Sequence, residues 1–384
     1  MLRLGLIALP TLGLLAAAMA QAGPPAPPPE IAEIPVTLLV DLGSGQVLEA
    51  RQPELSFLPA SMTKVMTAYV AFEEMAAGRL TADRQFTVRP ETARLWSGRG
   101  TSLNVTAGQR LSVDTLLRGI ATVSANDASV VLAEGYAGTV PGWTRLMNEQ
   151  ARKLGMADSR FATPNGWPDG GGTYVSARDL AKLAQAMISR HPALYHRYFG
   201  QKTMDWNGKI RTSHDPTVGV VPGADGIKTG FTREAGYNFL GSAQRDGRRL
   251  VMVVGGAKSD AQRAAASRAL LEWGFSAWQA RPLFAKGATV ATARVQGGAA
   301  REVALVAASP VYAAIPRDTK QAIALRVVYS GPIAAPIAKD ARVASLEVKV
   351  GDRVAGQVPL YAARTVAEAG PFDRLFNGLI GLIS

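Results

Sequence analysis

The chain of 384 residues contains no cysteine, so disulfide frameworks, thiolate metal sites and thiol nucleophiles are all excluded. Histidine is nearly absent too. The three present are His191, His196 and His214, and no acidic or cysteine cluster accompanies them in sequence. His191 and His196 are five apart, off one helical face, which disfavours a zinc peptidase, and no glycine loop of the phosphate-binding kind occurs. Long runs of like charge are missing. The net charge of +12 is spread along the chain, without a concentrated basic patch interleaved with aromatics, so nucleic acid is not an expected partner. Such a charge equally suits anionic headgroups or an acidic wall polymer.

With 47% hydrophobic and 19% charged residues, the chain can bury a sizeable core, and its length suits a main domain with a smaller appendage. Arg3, the apolar stretch Leu4 to Ala20 and small residues near Ala20 to Ala22 read as a secretory signal over 1–22. The proline-rich stretch 23–33 is expected to be an extended tether.

From residue 34 the pattern changes. Val36 to Asp41 and Gln46 to Ala50 read as a hairpin, followed by a helix from Ser61 to Gly78. Leu111 to Leu117, Ala128 to Glu134, Trp143 to Leu154 and Ala177 to Ser189 are expected to be helical. Strands return at Tyr237 to Ala243 and Arg249 to Val254 around Asp246-Gly247, and a helix from Ala261 to Trp273 follows. Strands from both ends of the segment 34–281 enclose a helical middle, which implies one sheet covered by helices. The segment 282–368 reads as a small all-β domain. The segment 370–384 places Phe372, Leu375, Phe376, Leu379 and Ile383 on one stripe; it is too short to span a bilayer, but suits an interfacial helix.

Three short motifs carry chemistry. In Ser61-Met62-Thr63-Lys64 a hydroxyl and an amine lie one helical turn apart, so the amine can take the hydroxyl proton. No other lysine has a serine three residues before it. Alone, such a pair is more often a helix cap beside a surface lysine. Ser124-Ala125-Asn126 offers a hydroxyl for proton relay and an amide for holding a peptide, or merely a helix N-cap. Lys228-Thr229-Gly230 can bind a carboxylate from a strand edge, its glycine admitting a close backbone. The order S-x-x-K, S-x-N, K-T-G is that of penicillin-binding proteins and β-lactamases.

Pro59 to Lys64, Ser124 to Ala128, Tyr174 to Leu180, Asp225 to Thr232, Ala235 to Asn238 and Trp273 to Phe275 together resemble low-molecular-mass penicillin-binding proteins, the serine-type D-alanyl-D-alanine carboxypeptidases. Ala335 to Ile337 and Val358 to Leu360 extend the resemblance into the tail. It implies an α/β (α+β) serine β-lactamase/penicillin-binding-like transpeptidase domain followed by a small all-β domain, with no cofactor or metal. It also implies that Ser61 is acylated by a peptidoglycan peptide ending in D-Ala-D-Ala, or by a β-lactam antibiotic. Lys64 would then be the base, and Ser124 and Lys228 proton relays. Asn126 would hold the peptide, Thr229 its terminal carboxylate, and the backbone N–H groups of Ser61 and Phe231 the oxyanion. Arg263 is either a further carboxylate contact or a helix-surface arginine.

Two departures are visible. Phe231 stands where some members carry histidine, and 211–216 lacks the usual asparagine-rich pattern. A β-lactamase is disfavoured because no E-x-x-L-N segment separates Ser124 from Lys228. A peptidoglycan endopeptidase with the same machinery, and a catalytically weak envelope-binding protein, remain open. The expected location is the outer face of the inner membrane, attached through 370–384.

Overall fold

Apolar residues alternate along the first strands and recur at helical spacing in the middle of the chain, and the fold follows both periods. The computed structural model describes residues 24–317, 319, 321–351 and 353–370. The expected signal over 1–22 and, beyond Gly370, the expected terminal helix lie outside the described residues.

The strands β1 (Val36–Asp41) and β2 (Gln46–Arg51) form the expected hairpin. A 3₁₀ turn, Ala60–Met62, leads into α1 (Thr63–Ala76). The strand β3 (Gln85–Thr87), α2 (Pro90–Trp96) and β4 (Arg110–Ser112) precede α3 (Val113–Thr122), α4 (Asn126–Ala137) and α5 (Val140–Lys153). After α6 (Ala177–Arg190) and α7 (Pro192–Tyr198), a short hairpin of β5 (Thr203–Trp206) and β6 (Lys209–Thr212) leads back to the sheet. There β7 (Ala224–Thr232), β8 (Gly236–Arg245) and β9 (Arg248–Ala257) run in succession, and α8 (Asp260–Ser276) closes the segment. The tail holds β10 (Trp278–Phe284), β11 (Thr289–Gln296), β12 (Glu302–Ala307), β13 (Val311–Pro316), β14 (Ile323–Val328), β15 (Ile333–Ala334), β16 (Arg342–Val350) and β17 (Arg353–Ala362).

In the first unit the strand order is β2-β1-β9-β8-β7, every pair antiparallel, with β7 at the edge. Period-2 alternation sorts the side chains between two cores. Leu38, Leu240, Val251 and Val253 join the helical middle around α1, while Leu39, Phe239, Met252 and Val254 pack under α8 with Leu270 and Leu271. The turn between β8 and β9 places Asp246 at φ 49° and Gly247 at φ 78°, the conformation expected of a tight Asp-Gly hairpin.

The tail has its own core, including Val303, Leu305, Leu346, Val348 and Leu360. It meets the first unit where β17 pairs with β2 through Gly356 and Gln46. A Cβ on Gly45 would fall 2.2 Å from the Gln357 carbonyl oxygen, so glycine is required at this seam.

Two expectations need correction. The helix expected from Leu111 begins at Val113, because Arg110–Ser112 pairs with β3 and the Ser112 hydroxyl caps α3 by accepting from Thr115 N at 3.1 Å. The tether expected over 23–33 is folded at its end: Pro29–Ile31 form a 3₁₀ turn, and Ile31 and Ile34 are fully buried in the core under α8.

The sheet is tied to the tail junction by a buried ion pair. Arg248 Nε donates to Asp41 Oδ2 at 2.6 Å, and its Nη1 donates to the Trp278 carbonyl at 3.0 Å. Asp41→Ala strands a buried guanidinium, so urea denaturation of this variant should show a loss of about 3–5 kcal/mol. A change below about 1 kcal/mol would mean that the pair contributes little to the fold.

Candidate active site

The N-terminal end of α1 is built against the sheet edge. Ala60 adopts φ 48° and Gly166 φ 73°, and a Cβ on Gly166 would lie 1.8 Å from the Ala60 carbonyl oxygen. At the preceding carbonyl, a Cβ on Gly230 would lie 2.3 Å from the Pro59 oxygen. Gly230 therefore brings β7 against this chain's own turn, a closer constraint than the substrate approach expected of it. Asn238 of β8 adds to the seam, donating from Nδ2 to the Leu58 carbonyl at 3.3 Å.

At that turn, Ser61 does not cap the helix: α1 begins at Thr63 with no side-chain cap. The Ser61 hydroxyl faces Lys64, whose Nζ stands 2.8 Å from Ser61 Oγ, 2.8 Å from Asn126 Oδ1 and 2.7 Å from the Asn165 carbonyl oxygen. Lys64 is 1% exposed. Burial first, and then the charge of Lys228, hold its amine well below the usual lysine range, with Asp127 opposing.

Ser124 sits at φ 65° in a turn fixed by three hydrogen bonds: Thr101 Oγ1 donates to the Ser124 carbonyl, Ala125 N to Gly119, and Asn126 N to Thr101. A non-glycine residue held in this region stores about 1–3 kcal/mol of strain, and such residues cluster at functional sites. Asn126 opens α4 with its amide between Lys64 and the Arg99 carbonyl, to which Nδ2 donates at 3.0 Å. The adjacent Asp127 is buried and accepts from Ser102 Oγ, Leu103 N and Val105 N, which fixes the neighbouring loop.

Lys228 lies on β7, 4% exposed, and donates to the Thr229 carbonyl at 3.1 Å. Burial, with Arg263 beside it, lowers its pKa to about 7 against the pull of Asp215. Arg263 is buried and ion-paired with Asp260, so the surface reading of this arginine does not hold. Phe231 is half exposed and stacks on Tyr237 with ring centroids 4.2 Å apart.

A cleft of about 600 Å³ joins these groups. Seven of the nine residues expected from sequence line it: Ser61, Ser124, Asn126, Thr229, Gly230, Phe231 and Arg263. Lys64 and Lys228 lie behind the wall, the former in contact with Ser61. Sequence reasoning did not find Asn165, Trp167 or His214. The last comes from the divergent 211–216 segment, lines the cleft, and has its pKa lowered by burial and then by Lys228 and Arg263. His191, which has no acidic neighbour in sequence, meets Glu73 at 2.7 Å, outside the cleft. Among the described residues no cluster of three or more histidine, cysteine or carboxylate side chains is placed to hold a metal.

Known proteins resemble this chain over most of its length. A family model described as D-alanyl-D-alanine carboxypeptidase matches residues 25–259, and one described as the C-terminal domain of penicillin-binding protein 5 matches 278–368. The D-alanyl-D-alanine carboxypeptidase DacD of Salmonella typhimurium is 34% identical over 362 residues, 91% of this chain and 90% of the relative. The crystal structure of penicillin-binding protein 5 from Haemophilus influenzae superposes with a TM-score of 0.72 at 28% identity, covering 90% of this chain and all of that one. Penicillin-binding protein D2 of Listeria monocytogenes, solved in its ampicillin-bound form, gives 0.57 at 30% identity over 63% of this chain and 97% of its own.

The two buried lysines can be titrated directly. With lysine Cε carbons labelled for NMR, the Lys228 resonance should titrate with a midpoint near 7. Lys228→Gln removes a charge that disfavours the Lys64 ammonium, so the Lys64 midpoint should move to higher pH. A Lys64 midpoint unchanged or lowered in that variant would show that the two amines are not electrostatically linked.

Proposed function

The chain belongs to the D-alanyl-D-alanine carboxypeptidase family of serine peptidases, and from that premise we propose how its site divides the work. The activity is the release of terminal D-alanine from peptidoglycan peptides ending in D-Ala-D-Ala. Ser61 is the nucleophile and Lys64 the base. The observation that carries this is a single amine within hydrogen-bond distance of Ser61 Oγ, Asn126 Oδ1 and the Asn165 carbonyl.

A neutral amine has two N–H bonds and one lone pair. The two N–H bonds satisfy Asn126 and Asn165, so the lone pair falls to the Ser61 hydroxyl, which donates its proton as the oxygen attacks the penultimate carbonyl. Backbone N–H groups of Ser61 and Phe231 receive the oxyanion; each such donor is typically worth about 3 kcal/mol of barrier. Gly230 supports this assignment by keeping β7 against the turn that carries Ser61. Ser124 and Lys228 pass a proton to the departing D-alanine amine, for which a lysine titrating near 7 is suited. Thr229 and Arg263 take the terminal carboxylate, and Asn126 holds the peptide backbone. Water then hydrolyses the ester on Ser61. A β-lactam enters by the same acylation, as ampicillin binding by the Listeria relative suggests.

Our reading of the rest of the chain rests on its sequence. The segment 1–22 exports the protein, and the peptidase unit over 34–281 passes into the tail over 282–368 within β10. The stripe in 370–384 lies on the outer face of the inner membrane, where the net charge of +12 suits anionic headgroups. Among the described residues no helix is long and apolar enough to cross a membrane.

Ser61→Ala should abolish both release of D-alanine from a peptide ending in D-Ala-D-Ala and covalent labelling by a fluorescent penicillin. Labelling that survives the change would overturn the nucleophile. Product analysis of the native enzyme separates the alternatives, since free D-alanine marks a carboxypeptidase and cleaved cross-links an endopeptidase. Deleting everything after Gly370 should move active enzyme from the membrane to the soluble fraction; continued attachment after signal removal would contradict the anchor.

A further inference from the structure

The first unit and the tail meet around a second cavity, of about 440 Å³. Its walls come from the turn between β8 and β9, the end of α8, the start of β10, Tyr312 of β13, and Arg317 just beyond. Helix α8 keeps it away from the catalytic cleft. Arg263 near the start of α8 lines the cleft and Phe275 near its end lines this cavity, about 18 Å further along the axis.

The charged lining is Arg245, Arg248 and Arg317 against Asp246 alone. Two of the arginines are neutralised by residues outside the lining, Arg245 by Glu272 and Arg248 by Asp41. Arg317 is exposed, donates from Nε to the Ser276 carbonyl at 2.7 Å, and pairs with no carboxylate among the described residues. Behind it, Arg248 and Trp278 are 6% and 7% exposed. Arg248 Nη2 and Trp278 Nε1 are buried without a hydrogen-bond partner among the described residues. So is Nε1 of Trp273, whose ring meets that of Trp278 edge-on with centroids 5.9 Å apart. No side-chain acceptor of the lining is left in the same condition. Native structures rarely keep a buried donor unpaired, because its desolvation is then uncompensated. Orphan N–H groups call for acceptor oxygens, and the unpaired Arg317 calls for negative charge. Phe275, Trp278 and Tyr312 add aromatic surface beside both.

We propose that this cavity is a second, non-catalytic binding site for a carboxylate-bearing fragment of peptidoglycan, held by Arg317 at the mouth and by the indole and guanidinium donors behind it. The demand for an oxygen anion stands on the cavity alone, whereas the choice of polymer rests on the carboxypeptidase reading. Every stem peptide that the cleft has trimmed ends in a carboxylate, and the sugar and peptide behind that end suit the aromatic walls. A bare phosphate satisfies the donors but leaves those walls uncovered. The orphan donors are closed to water as the side chains stand, so the wall rotates as the carboxylate enters. With one stem in this cavity and a neighbouring stem in the cleft, the polymer is a bivalent ligand, and the local concentration of uncut stems rises without any new contact in the cleft.

The test is a titration of the full protein, its tryptophan indoles labelled with ¹⁵N, with an N-acetylmuramyl tetrapeptide ending in a single D-Ala, which offers the cleft no D-Ala-D-Ala bond to cut. The Nε1–H resonances of Trp273 and Trp278 should shift saturably, on a curve separate from that of Trp167 in the cleft. Arg317→Gln should weaken binding at the cavity about fivefold, the upper range for a solvent-exposed ion pair, and added salt should weaken it in the native protein. Trp278→Phe keeps a ring but deletes one orphan donor. It should weaken binding about tenfold, read at Trp273, as expected for a lost hydrogen bond to a charged group, without lowering the melting temperature. An unchanged affinity in both variants, or no response at Trp273 and Trp278 in the native protein, overturns the site whatever Trp167 does. Equal shifts with inorganic phosphate at the same concentration overturn the peptidoglycan assignment. Only failure to release D-alanine from a peptide ending in D-Ala-D-Ala, measured on the same preparation, counts against the carboxypeptidase reading itself.

Discussion

The site depends on a lysine amine kept out of water. Lys64 is 1% exposed, on a helix buried in the main hydrophobic core through Val65, Met66, Tyr69 and Phe72. A charged ammonium there is costly, and the chain offsets part of that cost with three acceptors from three different elements: the turn before α1, the start of α4 and the loop after α5. The hydrogen bonds that satisfy the amine therefore also assemble the site. Lys228, a second buried cation, pushes the same equilibrium toward the neutral base.

Backbone proximity makes this assembly rigid. Gly166 and Gly230 press against the Pro59 to Met62 turn, at the Ala60 and Pro59 carbonyls respectively, at distances that no Cβ could tolerate. The loop around Asn165 is fastened in turn: Thr67 Oγ1 donates to the Pro164 carbonyl at 2.6 Å, and Asn148 exchanges two hydrogen bonds with Phe161. Asp127 does the same for the loop over 102–105, so the strained turn at Ser124 is held on both sides. Preorganisation of this kind places donors and base before substrate arrives, which is where electrostatic catalysis draws its effect.

What could be read from sequence follows the range of each interaction. Ser61 and Lys64 are one helical turn apart, and Lys228 to Phe231 are contiguous, so local spacing suffices to propose their chemistry. The covered sheet is legible because strand-period runs at both ends of the segment enclose a helical middle, whereas the division of its two faces between separate cores, Leu38 with Val253 and Leu39 with Val254, comes from the fold. Asn165, Trp167 and His214 were not legible, because each owes its place to a loop whose path only the folded chain defines. Asn165, for example, contributes a backbone carbonyl across 101 residues, which leaves no side-chain signature. Leu111 belongs to β4 and not to the expected helix, because an apolar residue at the start of a helical pattern looks the same whether it begins a helix or ends a strand. Ile31 was lost among prolines, although two buried isoleucines dock that stretch under α8.

The central claim is that Ser61 reacts because Lys64 accepts its proton. The most direct test is the second-order rate constant for acylation by benzylpenicillin in Lys64→Ala compared with the native enzyme. General-base catalysis by a positioned group contributes roughly 10²–10⁴-fold. The account predicts a fall of at least that order in a variant that still melts cooperatively. A rate within tenfold of the native value would contradict it.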